Sequence, residues 1–240
     1  MREGDAGDST ALTTVDHWDA AYKSTIRMRL PSALLASTVD SRREIRQWVR
    51  PGDQVLEIGF APGKQLAWVA SALGAQVSGI DFSEPGVALS RRLFDTLGLQ
   101  GDLRCEDVFN TSFEFGTFDV VYSQGVIEHW DDPRPIVRQH MELLRPGGVA
   151  VISVPNYGGI YGRLQGHIDP ENLSIHNTRI MNFKSLAELM PSDITDDVRV
   201  RATGRLTAGL INFDRVIPSL IAQALFWGTN VIGHLQPFEV

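Results

Sequence analysis

Short apolar runs recur through the middle of the chain, each closed by a glycine or a polar residue, with longer amphipathic stretches between them. Val55 to Ile58, Gln76 to Ile80, Asp102 to Cys105, Phe118 to Ser123 and Val149 to Val154 read as strands bounded by turn formers. Lys64 to Leu73 and Glu84 to Leu97 read as helices, the second with Ser83 as its N-cap. Strands alternating with helices predict parallel pairing through right-handed crossovers. The fold class is therefore α/β: a Rossmann-like, doubly wound, mostly parallel sheet with helices on both faces. A ligand of such a sheet lies at the carboxyl ends of the strands, where Gly59, Asp81, Asp107 and Gln124 fall.

The flanks read less regularly. Met1 to Thr13 is small, polar and acidic, without the basic and apolar regions of a signal peptide, and is expected to be mobile. A single domain is expected over 14–240, because 240 residues with 43% hydrophobic content can bury one sizeable core. Asn156 to Thr178 carries Gly158, Gly159, Gly162 and Gly166 and reads as a long loop, a lid facing an acceptor. Val198 to Leu206 alternates as a sixth strand would, and Phe183 to Met190 reads as a helix. Val216 to Ile232 is apolar but interrupted by Pro218, Gln223 and Asn230 and is short for a bilayer span, so 207–236 is expected to form a second lid and no integral membrane segment.

Charge narrows the partners. The net charge is −7 with a pI near 5.3, and no Lys/Arg run stands out, so the electrostatic footprint of a nucleic-acid binder is missing. Cys105 is the single cysteine, which excludes an internal disulfide and suits the reducing cytoplasm; its place in a strand predicts a buried, inert thiol.

The chemistry begins at Val55-Leu56-Glu57-Ile58-Gly59-Phe60-Ala61-Pro62-Gly63, a strand running into a tight turn of small residues. Small residues let backbone approach a ligand, and the following helix start favours an anionic group. The dinucleotide pattern G-x-G-x-x-G fails here, because Ala61 and Lys64 stand where glycines are needed. The pattern acid, x, Gly, x, small, x, Gly fits at Glu57, Gly59, Ala61 and Gly63. In this the chain resembles the class I S-adenosylmethionine (SAM) dependent methyltransferases, in particular the small-molecule, ubiquinone-biosynthesis O-methyltransferase type.

The resemblance implies a cofactor, SAM, and a set of residues to hold it. Asp81, at the tip of the second strand, would accept from the ribose hydroxyls, with Phe82 over the adenine. Asp107, beside Val108, would accept from the adenine amino group, and Ser123 and Gln124 would close the site after the fourth strand. Trp18, Asp19 and Tyr22 resemble a Trp-Asp-x-x-Tyr opening whose helix folds over the cofactor; an aromatic pair packing a surface helix is the alternative. Arg29, or Arg27, would reach the methionine carboxylate. The family's last, antiparallel strand has only Phe238 to Val240 left for it, so that strand is vestigial or the chain is truncated.

Val126-Ile127-Glu128-His129, followed by Asp131-Asp132-Pro133, resembles the Leu-Glu-His-x-x-Asp-Pro segment of the same group. An imidazole at His129 can take a hydroxyl proton, being largely neutral near pH 7; the alternative is a residue that orients the loop. His176, in Ile175-His176-Asn177, is the second candidate base. No resident metal is expected: Asp131-Asp132-Pro133 reads as a helix start, and Ser123 stands where metal-dependent catechol-type enzymes place an acid. The expected function is methyl transfer from SAM to a hydroxyl of a small molecule, with N-methylation of an amine or a non-catalytic SAM-binding role as alternatives, and a homodimer as a possible assembly. The first test is calorimetric: the protein should bind SAM or its demethylated product saturably, and binding of NAD in place of SAM would break the step from motif to cofactor.

Overall fold

The structure, a computed structural model, describes residues 11–22, 36–157, 159–195, 197–203 and 234–236. Seven strands form one sheet: β1 (Gln54–Ile58), β2 (Gln76–Asp81), β3 (Asp102–Cys105), β4 (Phe118–Gln124), β5 (Leu144–Pro155), β6 (Arg201–Thr203) and β7 (His234–Gln236), in the order β3-β2-β1-β4-β5-β7-β6. The first five pair in parallel, and β7 lies antiparallel to both β5 and β6. The helices are α1 (Val15–Tyr22), α2 (Ala36–Trp48), α3 (Lys64–Trp68), α4 (Glu84–Leu97), α5 (Arg134–Leu143), α6 (Gly159–Ile168), α7 (Pro170–Ser174) and α8 (Phe183–Ala187). None among the described residues is long and apolar enough to cross a membrane.

The alternation of side chains along each strand sorts the core into two layers. Leu56 and Ile58 of β1, Val121 of β4 and Ile152 of β5 pack with Ile136, Val137 and Met141 of α5 on one face. Val55, Val77, Val120, Tyr122 and Val151 face the other way, onto α2, α3 and α4 through Ile45, Leu66, Trp68, Val87 and Leu93. Ser83 caps α4 by accepting from the Gly86 N–H at 3.3 Å, as its position predicts. The stretch expected as one helix from Lys64 is α3 followed by a π-helical turn, Val69–Leu73.

Several expectations are corrected. The segment 156–178 is not an open loop, since α6 and α7 occupy most of it. Gly162 marks a close approach, since a Cβ there would collide with the Tyr157 carbonyl. The fifth strand begins earlier than Val149, with Arg145 to Gly148 as an irregular entry into β5, where the register with β4 shifts between Phe118 and Val120. The antiparallel strand is β7, earlier than Phe238 to Val240, and it takes 234–236 out of the expected lid. Residues 11–13 are tied down rather than loose, because the Leu12 N–H donates to the His129 carbonyl at 2.7 Å and Ala11 bridges Trp130. Cys105 is exposed, not buried, because it ends the edge strand; partial burial and then Asp81 still push its thiol pKa up, which keeps it protonated. Phe238 to Val240, Val216 to Ile232, Arg27 and Arg29 lie outside the described residues.

The core contains a carboxyl group, Glu57, which accepts a hydrogen bond from the Tyr122 hydroxyl at 2.7 Å. Burial pushes its pKa up from the ordinary 4.5 to about 8. The native state therefore keeps a proton that the unfolded chain releases, so this stabilisation is complete below pH 4.5 and is lost as pH rises to about 8. Glu57→Gln, which keeps an acceptor for Tyr122, should remove a loss on the order of a few kcal/mol across that window. Denaturant titrations of both proteins at the two ends of the window check this; parallel pH profiles would place the proton elsewhere.

Candidate cofactor and acceptor site

A cavity of about 950 Å³ opens at the carboxyl ends of β1, β2 and β4. This is the switch point of a doubly wound sheet, where adjacent strands send their crossovers to opposite faces and the loops part. Gly59 and Ala61 after β1, Asp81 and Phe82 at the end of β2, Asp107 after β3 and Gln124 at the end of β4 all stand on its wall. Trp18 and Tyr22 of α1 form the opposite side, with Thr13, Thr14 and Asp16. Phe109 and Trp130, edge to face at 6.2 Å between ring centroids, and Val126 make an apolar stretch of wall that the sequence did not single out.

Asp81 organises the floor. One carboxylate oxygen accepts from the Ala61 N–H at 3.0 Å and the other from the Ser83 N–H at 2.9 Å. Burial raises its pKa, and the two backbone donors oppose the rise. Each oxygen keeps a second lone pair, so ribose hydroxyls can still donate to it. Asp107 likewise accepts from the Phe109 N–H at 3.0 Å and caps the turn Val108–Asn110.

The glycines of the motif are also required by packing. Gly59 has φ +71°, and a Cβ there would come within 2.6 Å of Val126 Cγ2. Gly63 has φ +78°, and a Cβ there would press on Ser90 of α4 at 2.9 Å. Gly63, Glu57, Val108 and Ser123 are not on the cavity wall. Ser123 is fully buried, and its hydroxyl donates to His140 Nε2 at 2.8 Å, because His140 Nδ1 already donates to the Ile136 carbonyl at 2.7 Å. Its helical spacing gave His140 no chemical signal; only the fold places it under Ser123.

The segment before α1 and α1 itself close the cavity as a strap. The Tyr22 hydroxyl donates to the Ala61 carbonyl at 3.0 Å, and the Ser83 hydroxyl donates to Asp19 at 2.6 Å. The aromatic pair thus faces the site. Trp18 meets His129 edge to face at 5.1 Å between centroids.

His129 stands on the wall, and His176 lies behind it at 4.7 Å between centroids, off the wall. His129 Nδ1 is 2.9 Å from the Ile175 carbonyl, so Nδ1 carries the hydrogen and Nε2 the lone pair. Burial, then His176, lowers the His129 pKa to about 4 and keeps the ring neutral. Asn177, which the sequence did not mark, clamps this corner: its N–H donates to the Glu128 carbonyl at 2.6 Å and its side-chain amide to the Trp130 and Asp131 carbonyls at 3.0 and 2.9 Å. Glu128 is buried beneath, its pKa pushed by burial to about 8. Asp131 and Asp132 are instead paired with Arg179 and Arg134. No described residue of the cavity wall comes from 156–178.

Residues 56–152 match a family described as a methyltransferase domain. The chain is 36% identical over 107 residues to a ubiquinone biosynthesis O-methyltransferase of Xanthomonas campestris, covering 44% of each chain. It is 32% identical over 114 residues to phosphoethanolamine N-methyltransferase 2 of Caenorhabditis elegans, covering 47% of this chain and 26% of that one. The chain spans less than half the length of these curated relatives. The fold is similar to that of Haemonchus contortus phosphoethanolamine N-methyltransferase 2 solved with S-adenosylhomocysteine, with a TM-score of 0.59, 18% identity, and 82% of this chain and 51% of that one covered. Geranyl diphosphate C-methyltransferase of Streptomyces coelicolor is similar at a TM-score of 0.58 and 14% identity, with 83% and 77% covered. Over residues 56–152 the chain is thus similar to methyltransferase domains of the class I SAM-dependent kind, whose cofactor is SAM.

Asp81→Ala removes the acceptor for two backbone donors and for the ribose. With charge-assisted hydrogen bonds at about 1.5 to 3 kcal/mol each, SAM affinity should fall ten-fold or more. Calorimetry on a variant with a cooperative melt checks this; unchanged affinity would move the ribose away from Asp81.

Proposed function

We propose that the protein transfers the methyl group of SAM to a hydroxyl of a small-molecule acceptor. The observation that carries this reading is His129: a neutral imidazole on the wall of the cavity that Gly59, Ala61 and Asp81 floor, with Nδ1 tied to the Ile175 carbonyl and the Nε2 lone pair left over. The similarity to an O-methyltransferase over this stretch supports it.

When bound, SAM supplies a methyl group already activated by its sulfonium, so no covalent enzyme intermediate is needed. The chain's tasks are to hold, align and deprotonate. Asp81 and the turn at Gly59 to Ala61 fix the cofactor end, with Tyr22, Phe82, Asp107 and Gln124 around it. The apolar wall of Phe109, Val126 and Trp130 excludes water and seats the acceptor beside His129. His129 Nε2 would take the hydroxyl proton of the acceptor as the methyl group is received. Trp18 and the Ile175 carbonyl hold that ring in place.

The similarity to an N-methyltransferase favours a second reading, transfer to an amine, which needs no base because the proton can leave after transfer. The same pair of variants separates the two. For a hydroxyl acceptor, His129→Gln and His129→Ala should both lower turnover by roughly 10² to 10⁴ with SAM affinity nearly intact. Mass spectrometry of products from a panel of phenols, sugars and amines reads it. Full activity in the Gln protein on an amine would support N-methylation, and SAM binding without any methylated product would leave a binding protein.

A further inference from the structure

Glu128 has no task in the transfer just described, although it is 1% exposed and neither carboxylate oxygen has a hydrogen-bond partner. Even as a neutral acid it leaves its buried oxygens unsatisfied, and that costs free energy, so a compensating group is called for. Two imidazoles stand beside it: one oxygen of Glu128 and one ring nitrogen each of His129 and His176 lie within 4.8 Å of one another. Both rings are oriented in the same way. His129 Nδ1 lies 2.9 Å from the Ile175 carbonyl and His176 Nδ1 lies 2.6 Å from the Asn172 carbonyl. A carbonyl only accepts, so each ring carries its hydrogen on Nδ1 and offers the Nε2 lone pair. Histidine with one nitrogen fixed on a backbone carbonyl and the other free is the usual arrangement around a bound metal.

We propose that Glu128, His129 and His176 bind one divalent transition-metal ion behind the stretch of cavity wall that His129 forms. Two imidazoles and one carboxylate suit zinc, cobalt, manganese or ferrous ions rather than calcium or magnesium, which prefer oxygen donors. Asp131 and Asp132 do not belong to the set, being paired with arginines on the surface. The ligand set is long-range, and Asn177 locks its two segments together through the Glu128, Trp130 and Asp131 carbonyls. Of the three ligands only His129 stands on the cavity wall, so the ion would sit behind that wall, against Glu128 and His176. With its Nε2 on the ion, His129 would act as a ligand in place of a base. This consequence rests on the proposed O-methyl transfer, whereas the binding of the ion does not.

The test uses the full chain, stripped with a chelator and titrated with Co²⁺ while the visible d–d absorption is followed. One equivalent of Co²⁺ should bind with a four- or five-coordinate spectrum. Glu128→Gln and His176→Ala should each weaken it 10-fold or more, and Asp132→Asn should leave it unchanged. Calorimetric binding of S-adenosylhomocysteine verifies that each variant is folded; if Glu128→Gln is not, His176→Ala decides alone. No Co²⁺ spectrum, or equal affinity in a folded ligand variant, would overturn the site even if methyl transfer is found. Co²⁺ binding that depends on these ligands would uphold the site even if every hydroxyl acceptor fails, and that failure would count against the O-methyl reading alone.

Discussion

The carboxylate of Asp81 is the constraint on which the site depends. Its two oxygens hold the Ala61 and Ser83 N–H groups, so the loops after β1 and β2 are set at a fixed distance before any ligand arrives. Ser83 then caps α4 and donates to Asp19, while Ala61 receives the Tyr22 hydroxyl. The strap at α1 is therefore anchored on the same two loops that Asp81 fixes. Floor and cover form one hydrogen-bonded unit, and a shift of one displaces the other.

The opposite end of the cavity is held by a separate set of bonds. There the loop after β4 is joined to the segment after α7 through Asn177, and to the N-terminal segment through Leu12 and Ala11. His129 lies where these three pieces meet, packed by Trp18 and His176. Its ring orientation is set by the Ile175 carbonyl, two residues before Asn177, whose N–H donates to the Glu128 carbonyl beside the ring. Whether the ring acts on an acceptor proton or on an ion, its Nε2 is aimed by this long-range clamp.

Much of this was legible in the chain. The parallel strands, the switch point and the residues Gly59, Ala61, Asp81, Phe82, Asp107 and Gln124 on one wall follow from period-two apolar runs that end in small or acidic residues. Strand periodicity and turn chemistry are local, so spacing alone carries them. Ser123 misled because a polar residue at a strand end looks the same whether it faces the cavity or the core; His140, on α5, turns it inward. Gly162 misled for a related reason, since a glycine needed for close packing inside α6 reads like one in a loop.

The sequence by itself determined the fold class, the position of the cavity along the strands and the carboxylates that stand at its floor, because each depends on contacts between residues near in the chain or on the register of β-strands. The tertiary structure alone decided which titratable groups meet. Glu128, His129 and His176 come together, and Tyr22 reaches Ala61, through packing of segments far apart in sequence, whose proximity no local pattern encodes. The same packing removes water from Glu57 and Glu128, and it is that loss of solvation, invisible in a residue's identity, that keeps these two carboxyl groups protonated well above their ordinary range.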